Sequence, residues 1–217
     1  VETHYQHGED FKSEYLTDIA NDYIKSIKLN ASKATITKHN TIIGKIEDMQ
    51  THYKRKFKVS DIDSSFKVIF NDYYELHGYN KNTIKKNFKF IKTYCYYARD
   101  NGIEVNPNLK KLSISGEDTK DIYLTLDELE IIKTYSGLCE RLDNVRDWLL
   151  ISCFTAQRIS DFSRFGKDMI IEVKDQKLIS FKQTKGQKEI VIPLLPEVQE
   201  VLNKRGGEFP RKISDQR

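Results

Sequence analysis

The spacing of apolar residues changes once along the chain, and this change constrains the fold more than any other feature. Through Ala98, apolar residues recur every three or four positions, which is typical of amphipathic helices. Helices are predicted at 14–27, after an N-cap at Ser32, at 64–77 and from 82 or 83 to about 101. We therefore expect an N-terminal domain of four helices.

Two of these helices have inner faces that the spacing defines residue by residue. On the second helix, the predicted inner residues are Ile36, Ile43, Ile46 and Tyr53. On the fourth helix, they are Ile84, Phe88, Ile91, Cys95 and Ala98. The opposite faces are expected to be exposed to solvent.

Short β-rich runs separated by polar turns replace the helical spacing in the second half of the chain. They lie at 169–173, 178–181 and 189–192, and they predict a three-stranded antiparallel meander. A capping box at 125–128 begins a helix before them, and the apolar segment 142–155 predicts a buried core helix. The predicted fold class is mainly α with a small antiparallel β-meander.

A polar stretch divides the two halves. Asn106-Pro107 and residues 110–120 predict an extended linker. The predicted organisation is an N-terminal remnant at 1–10, a helical domain at 11–106, a linker at 107–121 and a second domain at 122–217. Because the chain begins without Met and stops in a polar stretch that completes no element, we expect a fragment of a longer protein.

The composition excludes several classes of protein. Of the 217 residues, 38% are hydrophobic, which is enough for two domains with their own cores, but no apolar run approaches the length of a membrane helix. Cys95, Cys139 and Cys153 form no C-x-x-C pair, so free thiols are expected rather than a disulfide framework or a zinc site. Without a signal peptide, we expect a cytoplasmic protein that binds neither membrane nor metal.

A one-sided row of cations on the predicted fourth helix is a candidate DNA-binding surface. No acidic residue lies between Glu75 and Asp100, and the face opposite the apolar stripe carries Lys85, Lys89, Lys92, Tyr96 and Arg99. Such a row can neutralise phosphates, and Asn82 could add hydrogen bonds in a groove. The second helix has a weaker row of the same kind, formed by Lys33, Lys38 and Lys45. An ordinary solvated face remains the alternative.

A second candidate is Arg158, which directly follows the most apolar predicted helix. A guanidinium entering next to an apolar core needs anionic partners, and Asp161 could hold it from a neighbouring turn. Its other donors would then be free to bind a phosphate. A purely structural ion pair between the two residues remains the alternative.

A third candidate is Lys185, at the tip of the predicted hairpin between the last two strands. A lysine on a tight turn can reach into a cleft as a general acid or as a phosphate donor. The alternative is an ordinary exposed turn residue, and Lys182 and Lys188 are close rivals for the role.

These features, in this order, resemble the tyrosine recombinase (phage integrase) family, especially integrases of bacterial mobile elements. The resemblance rests on the basic helical domain, the linker, Leu-Thr-Leu-Asp-Glu-Leu at 124–129, Thr-Ala-Gln-Arg-Ile-Ser-Asp at 155–161 and the hairpin at 184–194. It implies an N-terminal SAM-like core-binding domain followed by the first half of an α+β catalytic domain.

The resemblance also implies roles for three residues. Arg158 matches the family's first catalytic arginine, Asp161 matches the acid that supports it, and Lys185 matches the lysine that protonates the leaving 5′ oxygen. The implied partner is double-stranded DNA, bound near the bacterial nucleoid, with four copies assembled on paired sites when the protein is full length. The implied reaction needs no cofactor and no metal.

This sequence departs from the family pattern in two respects. Ala156 replaces the commoner Gly, which we expect to be tolerated if the backbone there is helical. The family's His-x-x-Arg and its nucleophilic tyrosine are absent, since the last tyrosines, Tyr123 and Tyr135, precede Arg158. We assign no nucleophile in this chain and expect it to be inactive alone. The alternatives are a DNA-binding module without catalysis and a helical scaffold in which the basic row is idle.

Overall fold

The computed structural model describes residues 13–213, which divide into two compact units. The first unit ends at Lys120 and the second begins at Asp121. The predicted remnant at 1–10 lies outside the described residues. No helix within the described part of the chain is long and apolar enough to cross a membrane.

The first unit contains the predicted helices, each beginning close to its expected residue. They are α1 (Leu16–Ile27), α2 (Lys33–His52), α3 (Ser64–Leu76) and α4 (Lys81–Asp100). The side chain of Ser32 accepts a hydrogen bond from the backbone N–H of Thr35, so the predicted N-cap of α2 is confirmed. Asp63 and Asn80 cap α3 and α4 in the same way. These caps satisfy backbone donors that the first turn of a helix leaves unpaired.

The core of the first unit is rich in aromatic rings. All the predicted inner residues of α4 are buried, and Phe88 packs edge-on against Phe70, which stacks on Tyr74 with ring centroids 4.4 Å apart. The prediction for Tyr53 is wrong, because α2 ends at His52 and the tyrosine that follows it is 37% exposed.

Part of the segment predicted as a linker belongs to the core of the first unit. Leu109, Leu112 and Ile114 are buried and pack with the helices, so residues 109–114 are not extended chain between domains. The polar residues between these three apolar side chains produced the expectation of a linker. Leu109, Leu112 and Ile114 all contribute to the core, although the average composition of the segment around them is polar.

The second unit combines helices with a small sheet. Its helices are α5 (Leu126–Thr134), α6 (Glu140–Thr155), α7 (Ile159–Phe162) and α8 (Pro196–Lys204). Its strands are β1 (Ile170–Val173), β2 (Gln176–Lys182) and β3 (Glu189–Pro193). The sheet order β1-β2-β3 with antiparallel pairs confirms the predicted meander, and the Thr125–Glu128 capping box at α5 is present.

The predicted burial of α6 on most of its sides is wrong. Trp148 and Ile151 face the core with Phe165 and Ile179, but Leu142 and Val145 lie on an outer face and are about two fifths exposed. The mainly helical fold class with its β-meander is confirmed.

Ion pairs that the sequence did not reveal join α6 to α8. The carboxylate of Asp147 is almost completely buried, and it accepts hydrogen bonds from Lys204 Nζ at 2.9 Å and Arg205 Nε at 2.6 Å. Asp143, one helical turn earlier, also accepts from Lys204. Because a buried carboxylate is costly without charged partners, this network fixes the two helices together.

Candidate active site and DNA-binding face

Arg158 lies at the surface, directly before α7. Its backbone is extended and forms the N-cap of that helix, and its side chain is exposed. The predicted burial next to the apolar core is therefore wrong, because α6 ends at Thr155 and the chain turns outward. Within residues 13–213, the Arg158 guanidinium has no hydrogen bond or ion pair. Its donors are available to an external anion.

The turn between α6 and Arg158 contains a strained residue. Ala156 has φ of 52° and ψ of 27°, and its N–H donates to the carbonyl oxygen of Ser152 at 3.0 Å. This left-handed conformation closes the C-terminus of α6, a position that favours glycine. We expected alanine to be tolerated if the backbone were a right-handed helix. The backbone at Ala156 is left-handed, so this condition is not met.

Asp161 is completely buried, and its partners differ from the predicted one. Its Oδ1 accepts hydrogen bonds from the backbone N–H of Thr184 at 2.7 Å and from the guanidinium of Arg164 at 3.2 Å. The predicted contact with Arg158 is wrong, since the described partners of this carboxylate are Thr184 and Arg164. The Thr184 hydrogen bond, and more weakly Arg164, hold the pKa of Asp161 below its ordinary value.

Lys185 is exposed at the tip of the β2–β3 hairpin, as the sequence predicts for its position. The turn is closed by a hydrogen bond from the Gln183 N–H to the Lys188 carbonyl oxygen at 2.8 Å, and Gly186 has φ of 88°. Lys182 and Lys188 are also exposed. The closed turn leaves the Lys185 ammonium group free to approach a ligand.

Arg164 and Thr184 connect the hairpin to α7, and the sequence analysis missed both residues. Arg164 donates to the carbonyl oxygens of Ser160 at 3.0 Å and Lys182 at 2.8 Å. Thr184 Oγ1 donates to the same Ser160 oxygen at 3.0 Å. The spacing of Arg164 three residues after Asp161 was the available signal, because residues three apart meet on one helical face.

The cations on the basic face of α4 differ in whether they contact other described residues. Lys85 and Lys89 are exposed, and no ion pair of either is present among the described residues. Lys92 is partly buried, and its Nζ donates to the carbonyl oxygens of Leu112 at 2.7 Å and Lys110 at 3.2 Å. Lys85 and Lys89 are therefore the better candidates for phosphate contacts.

Three other residues on this side of α4 have partners within the unit. Arg99 pairs with Asp100 at 2.8 Å, and its guanidinium lies 5.0 Å from the centre of the Tyr96 ring. The Asn82 amide donates to the Glu117 carbonyl oxygen at 2.8 Å and accepts from the Glu117 N–H at 3.2 Å. A role of Asn82, Lys92 or Tyr96 in DNA binding stays a prediction.

The cations of α2 are similarly divided. Lys33 and Lys38 are exposed, whereas Lys45 is half-buried with its Nζ 4.1 Å from the centre of the Tyr79 ring. At that distance the ammonium group gains a cation–π interaction. Contacts of these lysines with DNA also stay predictions.

The described residues include histidines, acidic residues and three cysteines, which are residue types that can bind a metal. Within residues 13–213, no group of three or more His, Cys, Asp or Glu side chains could hold a metal ion. Cys95 is buried, and this burial raises the pKa of its thiol to about 12. Cys139 and Cys153 are exposed free thiols.

The folds of both units have known relatives. Residues 15–114 match the phage integrase SAM-like domain family. A lambda integrase dimer bound to a COC′ core site matches with a TM-score of 0.65 at 16% identity, covering 88% of this chain and 53% of that one. The Tn1549 transposon integrase in complex with a circular intermediate DNA matches with a TM-score of 0.65 at 15% identity, covering 88% of this chain and 65% of that one. No curated protein matches.

These matches confirm the resemblance to the integrases that the motifs indicate. Residues 15–114 are similar to the phage integrase SAM-like domain, and the chain shares its fold with the lambda and Tn1549 integrases. At this level of identity the solved structures show a common fold. The chain spans about half to two thirds of the length of these integrases.

Proposed function

We propose that this chain is the DNA-binding domain and the first part of the catalytic domain of a tyrosine recombinase that performs site-specific recombination of double-stranded DNA. One observation carries the proposal. The elements that bear Arg158 and Lys185 are hydrogen-bonded to each other through Asp161 and Thr184, in a chain whose residues 15–114 match the phage integrase SAM-like domain family. Arg158 and Lys185 therefore lie on elements that are connected to each other by hydrogen bonds.

The proposed chemistry uses these two cations on a DNA phosphodiester. A tyrosine oxygen from outside this chain attacks the phosphorus, and the bond from phosphorus to the 5′ oxygen breaks. Arg158 stabilises the negative charge that develops on the non-bridging oxygens, and Lys185 donates a proton to the leaving 5′ oxygen. The product is a 3′ phosphotyrosine, so the bond energy is conserved for rejoining and no nucleotide cofactor is required.

The free lysines of α4 are the proposed phosphate contacts of the SAM-like domain. Lys85 and Lys89 lie on consecutive turns of one helix face, where they can neutralise neighbouring phosphates. The resemblance to the tyrosine recombinase family further implies that the complete protein assembles as a tetramer on paired sites and acts on nucleoid DNA in a bacterial cytoplasm.

Arg158→Ala in the complete recombinase separates the catalytic role from DNA binding. We expect DNA cleavage to fall by about 100- to 1,000-fold, because one donor to the developing charge is lost, while DNA affinity is nearly unchanged. The measurement is the yield of covalent protein–DNA complex on a nicked suicide substrate, with DNA affinity measured by fluorescence anisotropy. Lys85→Ala is the matched control and should lose affinity instead.

A DNA-binding module without catalysis is the second candidate, because Lys85 and Lys89 are exposed and have no ion pair among the described residues, and phosphate binding needs no catalytic group. It predicts that the complete protein forms no covalent complex with DNA and that Arg158→Ala changes nothing but affinity. Absence of any covalent complex with the wild-type complete protein would contradict the recombinase proposal and favour this one, whereas cleavage by Arg158→Ala at the wild-type rate would contradict the role assigned to Arg158.

A further inference from the structure

We propose that Arg164 and Thr184 are positioning residues, which fix the β2–β3 hairpin so that Lys185 is held in place relative to Arg158. This inference rests on the proposed function, because it assigns a purpose to residues that touch neither DNA nor the reacting atoms. Both residues lie between the two proposed catalytic cations, one on the segment that follows α7 and one on the hairpin.

Arg164 joins α7 to the last residue of β2. A single guanidinium donates to the Ser160 carbonyl oxygen, to Asp161 Oδ1 and to the Lys182 carbonyl oxygen. The first two acceptors belong to the helix that begins directly after Arg158, and the third ends the strand that leads into the hairpin. The planar guanidinium holds its donors in a fixed geometry, which a lysine cannot reproduce.

Thr184 makes the second connection, one residue before Lys185. Its N–H donates to Asp161 Oδ1 at 2.7 Å, and its hydroxyl donates to the Ser160 carbonyl oxygen at 3.0 Å. Together with the Arg164 contact at Lys182, the chain is held on both sides of Gln183. The backbone that enters the turn at Lys185 is thus fixed to α7.

A positioning role follows from the flexibility of lysine. Four rotatable bonds separate the ammonium group from its Cα, so the reach of Lys185 is useful only if the turn itself is fixed. A displacement of about 1 Å at a reacting group can cost about 100-fold in rate. The turn is exposed and has no apolar side chain of its own in the core, so the polar connections to α7 join it directly to the helix that follows Arg158.

The same unit contains a matched arginine that has no connection to the hairpin. Arg205 pairs with the buried Asp147 and joins α8 to α6, just as Arg164 pairs with the buried Asp161. Arg205→Gln therefore controls for the loss of a structural arginine–aspartate pair in the second unit.

The experiment compares two leaving groups in the complete recombinase. One suicide substrate has the normal 5′ oxygen at the cleaved bond, and the other has sulfur there. A departing thiolate needs no proton, so a defect in proton donation disappears on the sulfur substrate. We expect Arg164→Gln and Lys185→Ala to cleave the oxygen substrate slowly, Arg164→Gln by about 10- to 100-fold, and both to cleave the sulfur substrate near the wild-type rate.

The controls distinguish failure of this inference from failure of the proposed function. Recovery of Lys185→Ala but not of Arg164→Gln on sulfur would overturn the positioning role alone. A Lys185→Ala defect that sulfur does not relieve would overturn the assignment of Lys185 as the acid, and the inference with it. Arg205→Gln should show the same ratio of rates on the two substrates as the wild type.

Thr184→Val is a second variant in case Arg164→Gln does not fold. It removes only the hydroxyl bond to Ser160 and keeps the backbone bond to Asp161. We expect a smaller loss of cleavage, again relieved by sulfur, and recovery by Thr184→Ser on the oxygen substrate. If Arg164→Gln does not fold, wild-type cleavage of the oxygen substrate by Thr184→Val would overturn the inference; if it folds, the same result for Arg164→Gln would overturn it.

Discussion

The ammonium group of Lys92 donates a hydrogen bond to the backbone carbonyl oxygen of Leu112 at 2.7 Å. This contact fixes the segment after Asn106-Pro107 to α4. Lys92 is also one of the cations that the sequence predicts to form a DNA-binding surface on α4. Asn82 reinforces the same attachment further along, where it pairs with the backbone of Glu117. A Cβ on Gly116 would collide with the Asn82 side chain, so glycine permits this close approach.

The two lysines Lys92 and Lys89 should therefore respond differently to removal of charge. We expect Lys92→Met to lower the free energy of unfolding by about 1–2 kcal/mol, because two hydrogen bonds from a charged donor are lost. Lys89→Met should leave stability within about 0.5 kcal/mol but reduce the slope of log affinity against log salt by about 0.9. Urea denaturation and anisotropy titrations at several salt concentrations measure both. An unchanged salt slope in Lys89→Met would exclude a phosphate contact there.

Ala156→Gly should stabilise the second unit. Alanine in the left-handed conformation costs about 1 kcal/mol more than glycine, and Ala156 has φ of 52°. We expect an increase of about 1 kcal/mol in the free energy of unfolding measured in urea. Ala34→Gly, in the first turn of α2, is the control and should lower the free energy of unfolding of the first unit, because the backbone at Ala34 is helical. A loss of stability in Ala156→Gly would contradict the conclusion that the left-handed conformation of Ala156 strains the folded chain.

His39 should make the first unit sensitive to mild acid. Its ring is buried among Tyr23, Phe90 and Tyr94, and its Nδ1 lies 2.9 Å from the Tyr94 hydroxyl. Burial lowers the pKa of His39, so the unfolded chain takes up the proton first. Stability is then complete above about pH 6.5 and declines as pH falls toward the lowered value.

The measurement is the midpoint of urea unfolding of the first unit between pH 8 and pH 5. We expect His39→Gln to remove most of the decline, although it lowers stability overall. The same series on His77→Gln, which replaces an exposed histidine of the same unit, is the control. A decline that persists in His39→Gln would assign the acid sensitivity to another group.

The ion pairs between α6 and α8 should make the second unit sensitive to stronger acid. The hydrogen bond from Lys204, with a further contribution from Arg146, lowers the pKa of Asp143. A lowered carboxyl pKa stabilises the folded state above the unfolded value of about 3.9, and this stability is lost as pH falls through the folded value. We expect Asp143→Asn to flatten the decline below about pH 4, as followed by Trp148 fluorescence. Asp168→Asn, outside the network, should retain it.

The helices and strands could be predicted because their signals are local. Ser32 caps α2 through its own first turn, and the inner residues of α4 follow from helical spacing alone. Arg158 and Lys185 could be singled out by motif and by their positions beside a helix end and a hairpin turn. The burial of residues 109–114 could not be predicted, because their apolar side chains pack against helices that are distant in sequence.

The sequence by itself determined which segments become helices and strands, because periodicity, caps and turn residues act over a few neighbouring positions. Its resemblance to the tyrosine recombinase family made Arg158 and Lys185 candidates for catalysis. The tertiary structure alone decided which distant groups Asp161 and Lys92 contact. Asp161 contacts Thr184 rather than Arg158, and Lys92 contacts Leu112, because the choice of a partner depends on which elements pack together and where each chain turns. Such contacts join residues that are about 20 positions apart, beyond the range of any local pattern.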